Sequence, residues 1–338
     1  MKAKRYELKA GSLGNMKLVD FELEQPASDE VTIAVRAVGL NFADVFAIWG
    51  LYGATPTGIF TPGLEFSGEI VALGSNVSQW ELGDRIMGVT RFGAYTSHIN
   101  IDQRYVTPIA DDWSYEEGAA YLVQVLTAYY GLRFLGNLQE KQTILIHSAA
   151  GGVGVWANRI AKQFGAFTVG TVGRAEKLAF LEEEGYDRGI VRSRQFAKDL
   201  DDALEGRALD IVMECIGGRI FQASYHRMAE QGRMIVYGSA RYASVGKRPN
   251  YLKLIYHYLT RPKLDPQKII EENKAVMGFN LIWLYHQADL MHQLLQELQN
   301  FQLPKPHVGH TFNFEKLKNA ILLFQSGKTV GKVVVKVE

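Results

Sequence analysis

His147-Ser-Ala-Ala-Gly-Gly-Val-Gly154 follows the apolar run Thr143-Ile-Leu-Ile146 and opens an amphipathic helix. Gly151, Gly152 and Gly154 let the backbone turn sharply and approach a ligand closely. The N–H groups at the helix start then face outward, where the helix dipole favours an anion. This is the pattern of a pyrophosphate cradle, the first turn of a dinucleotide-binding fold, and it points to a nicotinamide or flavin cofactor. Ala149 stands where G-x-G-x-x-G has its first glycine, so the fingerprint is incomplete.

Downstream of the turn, Val153, Ala157, Ile160, Ala161 and Phe164 share one face of a helix that stops at Gly165. Strands are expected at 168–172, 189–191, 209–213 and 233–237. Helices are expected at 177–184, 196–205 and 221–228. Such β-α alternation requires a parallel sheet with right-handed crossovers. Upstream the pattern differs. Val31-Thr-Ile-Ala-Val-Arg-Ala-Val38 alternates, with Val31, Ile33, Val35 and Ala37 on one face, and 69–73 and 85–89 read as further strands. No helical alternation is visible there, so that part reads as a compact, mainly β domain.

Residues 241–268 interrupt the alternation with Arg241, Lys247, Arg248, Lys253, Arg261, Lys263 and Lys268 against only Asp265. Within them Tyr251–Leu259 reads as a helix apolar around most of its circumference, which predicts burial at an interdomain or dimer contact. A second helix is expected with Asp265 as N-cap and Pro266 at N1. Beyond Gly278 an apolar run continues through Leu284. A helix is expected near 290–298, a strand near 311–314 and a helix at 315–325. The closing stretch Gly331-Lys-Val-Val-Val-Lys-Val337 alternates and is expected to rejoin the first sheet.

A chain of 338 residues fits two domains. Its 47% apolar and 22% charged residues are those of a soluble globular protein. A net charge of +1 gives no reason to expect nucleic acid. Cys215 is the single cysteine, which excludes an intrachain disulfide and any multi-cysteine zinc site. It ends an apolar strand and reads as a packing residue rather than a nucleophile. Met1-Lys-Ala-Lys-Arg-Tyr-Glu-Leu8 has no apolar signal region and no apolar run is long enough to span a bilayer, so a cytoplasmic enzyme is expected.

Val38-Gly-Leu-Asn-Phe-Ala-Asp44, Pro62-Gly-Leu-Glu-Phe-Ser-Gly68, Leu126-Thr-Ala-Tyr129, the turn at 147–154 and Gly232-Arg-Met-Ile-Val-Tyr-Gly-Ser239 lie in the order seen in medium-chain dehydrogenases/reductases. The chain resembles their zinc-free quinone oxidoreductase branch along essentially its whole length. The 241–268 segment and Ala275-Val-Met-Gly-Phe279 look most like the synaptic-vesicle amine-transport protein homologues of that branch. The resemblance implies an α/β fold with three parts. Residues 1–122 would be a mainly β GroES-like substrate domain, 123–283 a Rossmann doubly wound parallel sheet with an insertion at 241–275, and 284–338 a return to the first domain. Zinc-dependent members hold their catalytic metal with two thiolates and an imidazole; the matching positions here are Asn41, Leu64 and Val123, which predicts no metal.

An NAD-preferring site places an acid near the end of the second strand, for the ribose 2′-hydroxyl. That strand ends Val172-Gly-Arg-Ala175, with Arg174 and Lys177 close by and Arg192 after the third strand. Cations without the acid suit the 2′-phosphate of NADP(H), and the missing acid also argues against a flavin. Lys177 matches a lysine usual in the branch; Arg192 departs from its common tyrosine. By resemblance the dinucleotide would contact Ala150, Gly151, Gly152 and Val153, then Gly173, Ile216, Gly238, Ser239 and Phe279. Asn41 and Thr127 would orient the nicotinamide or the substrate oxygen, beside Gln124. Tyr52 would donate to the oxyanion, and Phe46 replaces a second cleft tyrosine of many relatives. The implied reaction is hydride transfer to a quinone or α,β-unsaturated carbonyl. A homodimer is expected through an apolar edge strand at 276–282. The alternative is a peripheral membrane or vesicle-associated nucleotide-binding protein, suggested by the basic, aromatic 241–268 segment.

Overall fold

A computed structural model describes all of residues 1–338. One sheet has six parallel strands in the order Arg188–Val191, Phe167–Val172, Thr143–His147, Leu209–Glu214, Met228–Val236 and Ala275–Gly278. In chain order these are its third, second, first, fourth, fifth and sixth strands, the doubly wound arrangement. It switches direction between the first and the fourth. Ile144, Leu145 and Ile146 are wholly buried, because helices cover both faces of the sheet. The helix Gly152–Gln163 follows the first strand directly.

A seven-stranded sheet lies beside it: Val308–Asn313, Lys332–Lys336, Glu30–Gly39, Glu65–Leu73, Arg85–Val89 and Val106–Pro108 in sequence across the sheet, with His98–Asp102 also paired to Glu30–Gly39. Lys332–Lys336 runs antiparallel to Glu30–Gly39, Val335 opposite Val38, so the end of the chain returns to the first sheet. Gly331 N–H donates to the Ala150 carbonyl at 2.8 Å, which ties this return to the glycine turn. A small sheet of Lys17–Glu22, Lys2–Lys9 and Ile59–Phe60 completes the fold. No helix is long and apolar enough to cross a membrane.

Several local expectations need correction. The β-rich part contains a helix, Phe42–Trp49. Its start signal is a capping box: Asn41 is the N-cap and the Asp44 carboxylate accepts from Asn41 N–H at 2.7 Å. Ala37 does not share the face of Val31, Ile33 and Val35. The register shifts between Val35 and Ala37, which turns Ala37 onto Ala119, Ala120 and Val334. The helix expected to run to Met228 is Gly218–Arg227, and Met228 begins the next strand. The edge strand stops at Gly278, so Phe279–Ile282 lie outside it. The helix Tyr251–Leu259 has no buried residue at all. The second expected helix is present as Pro266–Glu271, capped by the Asp265 carboxylate.

Candidate active site and cofactor groove

Between the two large sheets lies a cleft of about 1290 Å³, lined by 61 residues of which 36 are hydrophobic. Asn41, Tyr52, Gln124 and Thr127 line it, as do Ala150, Gly151, Gly152 and Val153. Gly173, Arg174, Lys177, Arg192, Ile216, Gly238, Ser239 and Phe279 complete the set of expected positions, all on this one cavity.

The glycine turn forms its floor. Gly151 is the N-cap of Gly152–Gln163 in extended conformation (φ −92°, ψ 167°), and no side chain caps the helix. The first N–H groups of any α-helix lack intrahelical acceptors, so this uncapped end presents donors to the cleft. A Cβ on Gly152 would lie 2.6 Å from Gln124 Cγ. One on Gly154 would meet Ser148 O at 2.6 Å and Ala149 Cα and O at 2.7 Å, all rigid backbone. Gly154→Ala is therefore expected to displace the turn, costing about 1–3 kcal/mol of stability together with most dinucleotide affinity. Urea denaturation and a binding titration check this; an alanine variant with unchanged affinity contradicts it.

Three cations flank the end of the second strand. Lys177 donates to the Thr329 carbonyl. Arg192 donates to Thr171 O and Oγ1, both at 3.0 Å. These acceptors are neutral. Burial and the neighbouring Arg192 and Arg174 guanidiniums hold the Lys177 ammonium below its ordinary pKa, and burial lowers that of Arg192. The strand below fixes Arg192 in place. Thr171 Oγ1 lies 2.8 Å from His147 Nδ1, and His147 Nε2 lies 3.0 Å from Ser224 Oγ, which donates to Ile220 O. With Arg192 donating to Thr171, the Thr171 hydroxyl donates to Nδ1 and Nε2–H to Ser224. Burial pushes His147 down to about 3, so the imidazole is neutral. Glu214 is pushed up to about 7 by burial; its Oε1 accepts from Ile216 and Gly217 N–H and shapes the loop at Ile216.

At the other side of the cleft a buried polar cluster replaces the expected free donors. Lys332, at the start of the last strand, forms an ion pair with Glu65, and its Nζ donates to Asn41 Oδ1 at 3.0 Å. Asn41 Nδ2 donates to Glu65 Oε1 at 3.0 Å, and Gln124 Nε2 to Asn41 Oδ1 at 2.7 Å and Glu65 Oε1 at 3.2 Å. Val123 N–H donates to Glu65 Oε2. The Asn41 amide is thus fully used inside the protein. Gln124 keeps one buried atom, Oε1, with no partner. Thr127 Oγ1 donates back to Val123 O at 2.6 Å. The positions that the resemblance matches to zinc ligands, Asn41, Leu64 and Val123, carry no thiolate or imidazole, and the Lys332 ammonium bonds the Asn41 oxygen. No group of three His, Cys, Asp or Glu side chains converges anywhere in the chain.

Glu65, Lys332, Asp44 and Tyr95 were not among the expected site residues. Two of them carry a signal, a charge at the mouth of an apolar strand: Glu65 before Phe66 and Lys332 before Val333. Asp44 Oδ2 accepts from Asn41 N–H and from Tyr95 Oη at 2.8 Å, whereas Oδ1 has no partner. Burial pushes Asp44 up to about 7. A protonated Asp44 is therefore favoured by folding. That stabilisation is complete below the unfolded value near 3.9 and is lost as pH rises through about 7. Asp44→Asn is expected to flatten stability between about pH 4 and 7, read from urea midpoints; an unchanged profile contradicts the assignment.

Tyr52 crosses the cleft: its hydroxyl donates to Asn280 Oδ1 at 2.7 Å, and burial raises its pKa to about 12. Tyr105 and Tyr285 form a second crossing, stacked at 3.9 Å between centroids and 8° apart.

The pattern described as zinc-binding dehydrogenase matches residues 152–297, and that of the alcohol dehydrogenase GroES-like domain matches residues 27–111. The human synaptic vesicle membrane protein VAT-1 homolog is 33% identical over 313 residues, 92% of this chain and 79% of that protein. A quinone oxidoreductase from Pseudomonas syringae pv. Tomato DC3000 superposes with a TM-score of 0.82 at 26% identity, covering 99% of both chains. A mycobacterial protein complexed with NADPH superposes with a TM-score of 0.85 at 25% identity, again over 99% of both. With both sheets, the glycine turn and these relatives in agreement, the chain belongs to the medium-chain dehydrogenase/reductase superfamily of oxidoreductases.

Proposed function

We propose that the protein is an NADPH-dependent reductase that passes hydride to a quinone or an α,β-unsaturated carbonyl without a metal. The observation that carries the cofactor choice is the group Arg174, Lys177 and Arg192, whose last two members bond only neutral oxygens and lack the ribose-binding acid. Three cations held close together, none bonded to a buried carboxylate, call for an anion with several oxygens, which a 2′-phosphate supplies. The uncapped helix end at Gly151 suits the pyrophosphate. Gln124 Oε1, buried and unpartnered, suits the donor of a carboxamide.

NADPH, when bound, would supply the hydride. The chain's part is to position, exclude water and neutralise charge. Leu40, Phe42, Phe46, Leu64 and Leu126 give the cleft apolar walls. A conjugated carbonyl spreads the incoming charge onto its oxygen, which needs a donor rather than a Lewis acid. Tyr52 Oη would serve by exchanging Asn280 for that oxygen. Because burial holds its pKa near 12, the tyrosine keeps its proton at neutral pH and acts as a hydrogen-bond donor, with the final proton coming from solvent. The edge strand Ala275–Gly278 is open on one side and would pair two copies of the chain in a cytoplasmic homodimer.

The test is a turnover screen of quinones, enones and aldehydes with NADPH and NADH side by side, on protein freed of metal by chelation. Quinone or enone reduction that prefers NADPH and survives chelation is expected. Aldehyde reduction that needs added zinc would overturn the reading.

A further inference from the structure

The helix Tyr251–Leu259 is docked with its polarity reversed. Its polar side faces protein: Arg241 bonds His257 Nδ1 and Thr260 Oγ1, both at 2.9 Å, Tyr242 Oη donates to His257 O at 3.2 Å, and Lys253 Nζ donates to Ala243 O. Its apolar stripe, Leu254, Ile255, Tyr258 and Leu259, lines the cleft instead. The spacing i, i+1, i+4, i+5 puts these four on one face. Yet Ile255, Tyr258 and Leu259 remain 57%, 58% and 71% exposed, and the Arg261 guanidinium over the Tyr258 ring at 3.9 Å covers only part of that face. Exposed apolar surface of this extent marks a binding surface.

The segment leading into the helix spans the mouth of the cleft. It leaves the cofactor side at Ser239, and Gly246 N–H then bonds Gln325 Oε1 at 2.9 Å. Lys247 O accepts from Leu13 N–H at 2.7 Å, on the other sheet's side. The stripe is therefore continuous with the same cavity as the glycine turn. The one cavity of about 1290 Å³ thus reaches from the cofactor groove to the stripe.

We propose that the stripe is the wall of a subsite for an aliphatic chain carried by the hydride acceptor, so that the substrates are long-tailed, lipophilic quinones or enones. The inference rests on the reductase reading for the reacting end and on the stripe for the tail. From Leu254 to Leu259 the wall runs about 7.5 Å, at about 1.5 Å per residue. Specificity would come from burying methylenes there while the quinone or enone head sits beside Tyr52 and Gln124.

Two series measured on the full chain test this. The first is kcat/KM with NADPH for 1,4-benzoquinones carrying methyl, ethyl, butyl, hexyl and octyl tails. The second is the dissociation constant, on NADP-loaded protein, of alkyl ketones of the same tail lengths, which do not need to react. Both are expected to improve by up to about fourfold per methylene along the stripe and then level off. Ile255→Asp and Leu259→Asp are expected to remove most of that slope. Ile270→Asp, on the neighbouring helix Pro266–Glu271, 71% exposed and outside the cleft lining, is expected to keep it.

Turnover without any length dependence in either series overturns the subsite and leaves the reductase standing. Length-dependent ketone binding without quinone or enone turnover keeps the subsite and overturns the reductase. Flotation on anionic phosphatidylserine vesicles abolished by Leu259→Asp, with flat slopes, assigns the helix to a membrane. Dissociation of a dimer by the same variant, with flat slopes, assigns it to a second copy. Either result overturns the subsite.

Discussion

Exchanging both Lys177 and Arg192 for glutamine is expected to raise the KM for NADPH by about a hundredfold or more, while that for NADH changes by no more than about threefold. Each charge-assisted hydrogen bond contributes roughly 1.5–3 kcal/mol. Losing one removes about 13- to 160-fold in affinity, and two on the same phosphate are not fully additive. The selectivity follows from charge: the 2′-hydroxyl of NADH has none for these cations to meet. Glutamine keeps much of the side-chain volume, so the packing of Arg192 against Gly173 changes little; that glycine's Cβ position lies 3.2 Å from the Arg192 guanidinium. The fold should also tolerate the change, because in the free protein Lys177 is repelled by Arg192 and Arg174. Initial-rate kinetics with both nucleotides at matched ionic strength decide the matter. An equal loss with NADPH and NADH would mean that the two residues serve the turn or the pyrophosphate rather than the 2′-phosphate.

The parallel sheet was legible because each of its elements carries a local signal. The strand Thr143–His147 is a continuous apolar run, the helix after it has a single apolar face, and glycines end the next helices. The groove was legible for the same reason, since a turn and the cations around it lie near one another in sequence. What escaped is built from distant pieces. Lys332 and Asn41 are 291 positions apart, and only the pairing of Lys332–Lys336 with Glu30–Gly39 brings them together. Periodicity has no access to such a contact. It also misread Tyr251–Leu259, whose apolar residues predicted burial. The helix is anchored by hydrogen bonds to the 240–243 turn, a choice set by tertiary contacts that no hydrophobic pattern records. Asn41 shows a subtler failure. The sequence placed it in the cleft, where it is, but the residue spends its amide on Glu65, Lys332 and Gln124. Its role in the cleft is thereby to hold neighbours in place.

That network makes Lys332→Met the most disruptive single change to stability. The Lys332 and Glu65 side chains are 4% and 1% exposed. Removing the ammonium leaves a buried carboxylate whose remaining partners, Asn41, Gln124 and the Val123 N–H, are all neutral. Breaking a buried pair this way costs about 3–5 kcal/mol, because one charge stays desolvated and uncompensated. Lys332→Met/Glu65→Gln is expected to recover much of the loss at neutral pH, since an amide is far cheaper to bury than a carboxylate and can still accept from Asn41. Urea unfolding of both variants at neutral pH measures this. A Lys332→Met protein within about 1 kcal/mol of the parent at neutral pH would show that water reaches the cluster and that the pair contributes no more than a surface salt bridge. Recovery by the double variant would instead locate the cost in the stranded Glu65 charge.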